Sequence, residues 1–344
     1  MKICNRCVLP ETFPGIRFTS QGLCQYCAND NNSSAYDETK AQYRRRLREL
    51  LLQVRSNGAY DAIVAYSGGK DSSYTLQLLA EDLNIRVLAV TFNHGFLSAR
   101  AIENIRSVTE ALNIAHLMLS PSPEALKEAF RKSITSNIYS IKELQRASAI
   151  CNTCMGLAKS LILRTAIEMG IPLIAYGWSP GQIPLRSSIM SLNEQMMRQA
   201  NSNLIHKLDS IMGGDLTPFL LQERHFRLFS LEATHPGYHY LHPLAFYNYD
   251  ESAMVQKIKT LGWINPSDTD SNSTNCLLNS FANQLHQETY GFHPYSLEIA
   301  NLVRMGCTSR ADGLAKLAKP ADGRVVDHIK TKLGLVEGEF SSKP

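Results

Sequence analysis

Apolar residues fall along this chain in two rhythms. Asp61–Tyr66, Arg86–Phe92, Ile114–Leu119 and Ile171–Gly177 each hold a short contiguous apolar run, such as Ile63-Val64-Ala65 and Val87-Leu88-Ala89-Val90. Runs of this length with no alternation predict strands buried on both faces. Between the runs, apolar positions recur three and four residues apart. Tyr74, Leu76, Leu78 and Leu79 form one such set, and Leu157, Leu161, Leu163, Ala166 and Ile167 another. Helices are also predicted over Leu97–Leu112 and Ser122–Ser133. Strand and helix in alternation predict an α/β fold, a doubly wound parallel sheet with helices on both faces. Ligands in such sheets sit beyond the carboxyl ends of the strands.

Outside this rhythm the pattern changes three times. Tyr36–Val54 is an amphipathic helix with Tyr43, Leu47, Leu50, Leu51 and Val54 on one face. Arg44, Arg45, Arg46 and Arg48 line it, as a solvated face or a basic strip for an anionic substrate. Leu185–Phe229 is rich in methionine (Met190, Met196, Met197, Met212), interrupted at Gly213-Gly214 and Pro218. It predicts an inserted helical pair over the site or against a second subunit, which suits a homodimer. Its Arg186, Arg198, Arg224 and Arg227 are candidates for an anionic acceptor or plain surface charge. Tyr240–Leu244 returns the chain to the sheet, Glu251–Leu261 is a helix, and from Phe281 onward only helices follow. The expected units are residues 1–35, a small cysteine module; 36–58, a linker helix; 59–280, the sheet domain with its insertion near 185–230; 281–337, a helical region; and 338–344, a frayed tail.

Length and composition narrow the class. The 344 residues suit about two or three domains. A net charge of +4 permits an anionic partner without arguing for nucleic acid. No apolar run approaches the ~20 residues of a membrane span, and MKICNRCVLPETF lacks a signal core. The expectation is a cytoplasmic protein with no membrane partner, whose eight cysteines are thiols or metal ligands.

The chemistry concentrates at DAIVAYSGGKDSS, Asp61–Ser73. Strand, glycine turn and helix start aim backbone N–H groups and a helix dipole at one point, which predicts a phosphate site. Ser67, Gly68, Gly69, Lys70, Asp71 and Ser72 would form it. A P-loop is excluded, because Val64 stands where its first glycine belongs and Asp71 follows the lysine. SGGKDS instead resembles the PP-loop of the ATP pyrophosphatase superfamily. That resemblance implies Mg-ATP, cleavage to AMP and pyrophosphate, and adenylation of an acceptor oxygen. It also implies that the end of the second strand, Asn93 and His94, contacts the adenosine. His94 is equally a capping or packing residue from its sequence context.

Three cysteine patterns surround this loop. Cys4-x2-Cys7 and Cys24-x2-Cys27, sixteen residues apart, have the spacing of a four-thiolate Zn²⁺ ribbon. About 35 residues bury too little core to stand alone, so the metal is expected to hold this module. Cys151-x2-Cys154 opens a helix, where the dipole and nearby Lys159 predict thiolate character. Asp268-Thr269-Asp270-Ser271-Asn272-Ser273-Thr274-Asn275 is a polar stretch leading to Cys276 and a further helix. The order Cys151, Cys154, Cys276 resembles PP-loop sulfurtransferases with a [4Fe–4S] cluster on three cysteines. The residues themselves leave a dithiol, a second zinc site, a persulfide or simple packing open. Cys307 reads as packing, and His286 and His293 as core histidines.

CNRCVLPETFPGIRFTSQGLCQYC also resembles the start of a PP-loop branch that includes N-acetyl sugar amidotransferases. The ribbon-plus-PP-loop order is similar to one class of tRNA 2-thiouridine synthetases. Those often carry a second ribbon after the PP-loop domain, and none follows in this sequence, which weighs against a tRNA acceptor. The resemblance implies an ATP-dependent adenylating transferase, first a sulfurtransferase using Cys151, Cys154 and Cys276. In that scheme Lys70 meets the phosphates, and Asp71 with Asp268 or Asp270 holds Mg²⁺. Ser179 and Gln182 in the exit loop of the Ile171–Gly177 strand would touch the acceptor, a small molecule or tRNA. A sulfur donor, or in the amidotransferase reading a separate glutaminase, would be the partner. A nucleotide-binding module without catalysis is the third reading.

Overall fold

The structure is a computed structural model that describes the chain except residues 31–34, 55–57, 213–215, 232–236, 271 and 336–344. The expected Gly213-Gly214 break and the 338–344 tail therefore lie outside the described residues, as does most of the loop before the linker helix. Six strands, β1 Ala62–Ala65, β2 Val87–Phe92, β3 Ala115–Leu119, β4 Leu173–Tyr176, β5 Ile189–Ser191 and β6 His239–Leu241, form one sheet in the order β3-β2-β1-β4-β6-β5. All neighbours are parallel except the β5–β6 pair.

Each central strand is buried on both faces because successive side chains point opposite ways. Ala62, Val64, Val87, Ala89, Leu173 and Ala175 meet the helix Ala35–Val54 through Leu47, Leu50, Leu51 and Val54. Leu76, Leu79, Ile105, Val108 and Trp263 complete that core. On the other face Ile63, Leu88, Val90, Ile174 and Tyr176 meet Ile162, Leu163, Ala166 and Ile167 of the helix Ala149–Glu168. This is the doubly wound α/β arrangement, and it places the ends of β1, β2 and β4 side by side.

The insertion holds more than a helical pair. The helices Glu194–Met212 and Glu223–Leu231 are there, but β5 precedes them as the antiparallel edge strand. Three residues are too short for the hydrophobic pattern to register a strand. Two of the four arginines suggested there as anion binders are held in ion pairs. Arg198 reaches Glu194 at 2.6 Å and Glu223 at 2.8 Å, and Arg224 reaches Glu168 at 3.4 Å.

The cysteine module packs against the other end of the chain. Val8, Leu9 and Phe13 are buried against Phe292, Ile299 and Ala300 of the C-terminal helical region. Phe13 meets Phe292 edge-on at 5.2 Å, and Arg310 donates to the carbonyls of Cys4 and Cys7. The core that 35 residues cannot supply comes from the far end of the sequence. No described helix is long and apolar enough to cross a membrane.

Candidate active site

The turn after β1 is shaped by two glycines and closed by hydroxyls. Gly68 has φ +75°, and a Cβ there would lie 2.4 Å from the Ala101 carbonyl oxygen. Trp263 Nε1 donates to the Gly68 carbonyl at 2.9 Å. Gly69 caps the helix Lys70–Gln77. Ser72 donates to the Gly69 carbonyl at 3.1 Å and accepts from the Ser67 N–H at 3.3 Å; the two hydroxyls are 3.1 Å apart. The end of β4 presses on the same turn: a Cβ at Gly177 would lie 2.6 Å from Ser72 N.

The polar stretch before Cys276 folds over this loop. Thr274 Oγ1 accepts the Lys70 N–H at 2.9 Å, and Asn275 passes its carbonyl to the Ser98 N–H at 3.0 Å. Leu97 and Cys276 form an antiparallel bridge. The stretch is thus a wall of the site, which fixes Cys276 beside the loop.

A cavity of about 260 Å³ opens where the three strands end. Ser67 and Ser72 line one side, His94, Tyr176 and Trp178 others, and Cys154 and Lys159 the wall from the helix Ala149–Glu168. His94 is buried with its Nδ1 accepting the Phe96 N–H at 3.2 Å, which leaves the proton on Nε2. Burial, helped by the charge of Lys332, lowers its pKa to about 4, so the ring is neutral. The Lys159 ammonium lies 4.1 Å from the Trp178 ring centre, and burial lowers it to about 8.

Several residues singled out from the sequence face elsewhere. Lys70 Nζ donates to Asp71 at 2.7 Å and to the Tyr249 hydroxyl at 3.4 Å, while Tyr249 donates to the other Asp71 oxygen at 2.9 Å. Burial opposes the lysine charge, but Asp71, Tyr249 and Glu251 hold its pKa well above the ordinary value. Asn93 caps its own loop by accepting the Gly95 N–H. Gln182 accepts the Ser179 N–H, and the Ser179 hydroxyl donates to Glu298 at 2.6 Å. Both polar groups are thereby tied into the packing of the exit loop, away from the cavity lining. Asp270 accepts two bonds from Asn272, and Asp268 Oδ1 is buried without a hydrogen-bond partner. Among the described residues, nothing brings Asp268 and Asp270 together with Asp71 as one ligand group.

Tyr176, Gly177, Trp178, Thr274 and Asn275 were not chosen as site residues from the sequence. Aromatics around a glycine at a strand exit were the available signal.

The two cysteine sets differ. Cys4, Cys7, Cys24 and Cys27 are buried with their sulfurs all within 4.8 Å of one another, the only such ligand group among the described residues. That closeness fits a single tetrahedral ion. Burial opposes ionisation throughout this set, pushing Cys7 up and Cys27 up to about 11, whereas backbone N–H groups of Cys7, Cys24 and Arg6 bring Cys4 down to about 6. Cys151, Cys154 and Cys276 converge on one apolar cluster and raise each other's cost of ionisation. The expected thiolate character is corrected here. Burial outweighs the helix start, pushing Cys151 and Cys154 up and Cys276 up to about 12. Among the described residues these three thiols are not grouped as one compact ligand set, unlike the first four.

Residues 61–171 match the family model of the queuosine biosynthesis protein QueC. The match spans the turn after β1 and the helix Ala149–Glu168, about a third of the chain. Over 320 residues it is 23% identical to an uncharacterized protein, MJ1599, of Methanocaldococcus jannaschii, covering 92% of this chain and 93% of that one. Two solved structures are among those to which it is similar. One is the U34-tRNA thiolase NcsA from Methanococcus maripaludis with its [4Fe-4S] cluster: TM-score 0.38, 17% identity, 98% of this chain and 90% of that one. The other is an NH3-dependent NAD synthetase from Campylobacter jejuni: TM-score 0.32, 15% identity, 67% of this chain and 98% of that one.

Proposed function

We propose that this PP-loop protein uses ATP to adenylate a carbonyl acceptor and then transfers sulfur to the activated carbon. One observation carries the reading: Cys154 lies on the wall of the cavity that the PP-loop serines Ser67 and Ser72 also line. A thiol and a phosphate-binding turn share one space. The Ser67 and Ser72 hydroxyls and the start of the helix Lys70–Gln77 bind the phosphates. Lys70 leaves Asp71 when the more strongly charged triphosphate arrives and stabilises the charge that develops at the α-phosphorus. Neutral His94, Tyr176 and Trp178 hold the adenosine. The acceptor oxygen forms a bond to the α-phosphorus as the bond to pyrophosphate breaks, and pyrophosphate leaves with the electron pair. A sulfur nucleophile then attacks the activated carbon, and AMP departs with the C–O electrons.

Cys151, Cys154 and Cys276 would hold a [4Fe–4S] cluster, which when bound supplies an open iron site for sulfur. Cys4, Cys7, Cys24 and Cys27 would hold Zn²⁺ as a structural ion. Asp71 is the best-placed carboxylate for Mg²⁺ once Lys70 moves away.

ATP labelled at the α-phosphate tests the first step: AMP and pyrophosphate support it, and ADP overturns it. Anaerobically purified protein tests the second. Broad absorbance near ~400 nm, lost in Cys151→Ala, supports the cluster. The buried, hard-to-ionise state of the three thiols favours one other reading, amide formation with ammonia from a partner glutaminase. Colourless protein carrying zinc alone, active with ammonia, selects it.

A further inference from the structure

Of the three converging thiols, Cys151 and Cys276 share a neighbour to which the proposed reaction gives no role. Asn279 lies buried at the start of the helix Leu278–Tyr290. Its side-chain Nδ2 donates to the Cys151 sulfur at 3.5 Å and to the Tyr295 hydroxyl at 3.2 Å. The orientation of this amide is fixed from behind. Asn283, one turn along the same helix, donates its Nδ2 to the Asn279 oxygen at 2.8 Å, so the N–H side of Asn279 is the one that faces the sulfur. The backbone of Asn279 acts on a second thiol. Burial and the Cys151 charge push Cys276 up to about 12, and the N–H groups of Leu278 and Asn279 oppose them. On Cys151 burial is opposed by Ser148 and by the Asn279 amide. Among the described residues no hydrogen bond reaches the Cys154 sulfur, which burial and its two neighbours push well up. The helix that carries Asn279 and Asn283 gives Leu278, Phe281 and Ala282 to an apolar cluster, and Asn283 Oδ1 is itself buried without a partner. A neutral thiol is a weak acceptor and offsets little of the cost of burying these amides. An ionised sulfur offsets more, because a hydrogen bond to a charged partner is roughly twice as strong.

We propose that Asn279 is the positioning residue of the three-cysteine site. Its side-chain N–H holds the Cys151 sulfur in place and stabilises the negative charge which that sulfur carries when it binds a metal or reacts. Toward a bound cluster, such a donor favours the more negative, reduced state and so raises the reduction potential. The inference rests on the reading that these thiols are functional. Its test does not depend on whether sulfur or ammonia is the nucleophile.

Two variants of the full chain, purified anaerobically, provide the test. Asn279→Leu removes the donor at similar volume, and Asn279→Asp keeps the shape but places a carboxylate against the sulfur. Where the chain carries the cluster, the readout is a redox titration followed by absorbance. Both variants should move the potential to more negative values, changing the oxidised-to-reduced ratio at the parent midpoint about three- to tenfold, Asn279→Asp the more. Where the chain is colourless, the readout is alkylation by iodoacetamide, resolved peptide by peptide. Cys151 should then react about threefold more slowly or less in both variants, because the thiolate is the reacting form. Cys307 keeping its parental rate shows that a variant is folded, and either folded variant decides the question. Tyr295→Phe removes the other partner of the amide and should produce neither change. The proposal is overturned if the potential or the Cys151 rate stays at the parental value, or if Tyr295→Phe reproduces the effect of Asn279→Leu. Colourless protein that still converts ATP to AMP removes the cluster from the proposed function and leaves Asn279 to the alkylation result.

Discussion

The two cysteine sites of this chain use the same residue in opposite ways. At Cys4, Cys7, Cys24 and Cys27 the sulfurs crowd within 4.8 Å, wrapped by turns and docked on the C-terminal helices. Phe292 and Ile299 pack in the same apolar cluster and tie the module to the far end of the chain. Cys151, Cys154 and Cys276 come from two distant parts of the sequence and include a residue on the nucleotide cavity wall. Their apolar surroundings keep them neutral until a metal or a reaction demands otherwise. The difference teaches that spacing in sequence identifies a metal site only when the ligands are local. Where they are not, the neighbouring cavity says what the thiols are for.

The contrast can be broken most decisively at Cys154. Cys154→Ala should lower transfer to the acceptor on the order of 10³-fold while ATP binding persists, read by product formation and by calorimetry with a non-hydrolysable ATP analogue. Loss of stability without this kinetic effect would make the second site structural too. Gly68→Ala comes next. The new methyl would sit 2.4 Å from the Ala101 carbonyl at a φ of +75°, so pyrophosphate release should fall about 10- to 100-fold. The Cys154→Ala and Gly68→Ala defects should separate, the second acting on nucleotide binding.

Cys24→Ala tests the other side. If these thiols hold zinc, it should abolish zinc binding and lower the thermal midpoint by about 10 °C, while the isolated adenylation step stays within about threefold of the parent protein. A larger rate loss would show that the module takes part in the chemistry.

The smallest effect concerns the connection between the two regions. Glu298 sits on the helix Ser296–Arg304, whose Ile299 and Ala300 pack on the cysteine module, while its carboxylate accepts the Ser179 hydroxyl. Burial, with the nearby charge of Asp71, raises its pKa from 4.5 to about 7. The folded state therefore holds a proton that the unfolded state gives up between these values. Stability should fall as pH rises through this window. Glu298→Gln should flatten that slope in a thermal-melt series, by a change of a few degrees at most. An unchanged slope would mean that Glu298 does not carry it.

The alternation of β1 to β4 with helices, the glycine turn after β1 and the four-thiolate spacing were all legible in the sequence, whereas the edge strand β5 was not. Each depends on residues within a few positions of one another. Contiguous apolar runs specify buried strands, Gly68-Gly69 specifies a turn, and paired C-x2-C motifs place sulfurs within reach of one ion. Long-range placement decided the rest. That Lys70 and its neighbour Asp71 both meet Tyr249, that Ser179 is tied to Glu298, and that Arg198 pairs with Glu223 depends on partners many residues away. Hydrogen bonds and ion pairs are formed by whichever groups the fold brings within about 3 Å, and one-dimensional spacing carries no record of that. The same holds for Trp178 and Asn275 at the nucleotide cavity, and for Asn279 against Cys151. Local chemistry fixed the elements, and packing of distant segments fixed which side chains face the reaction.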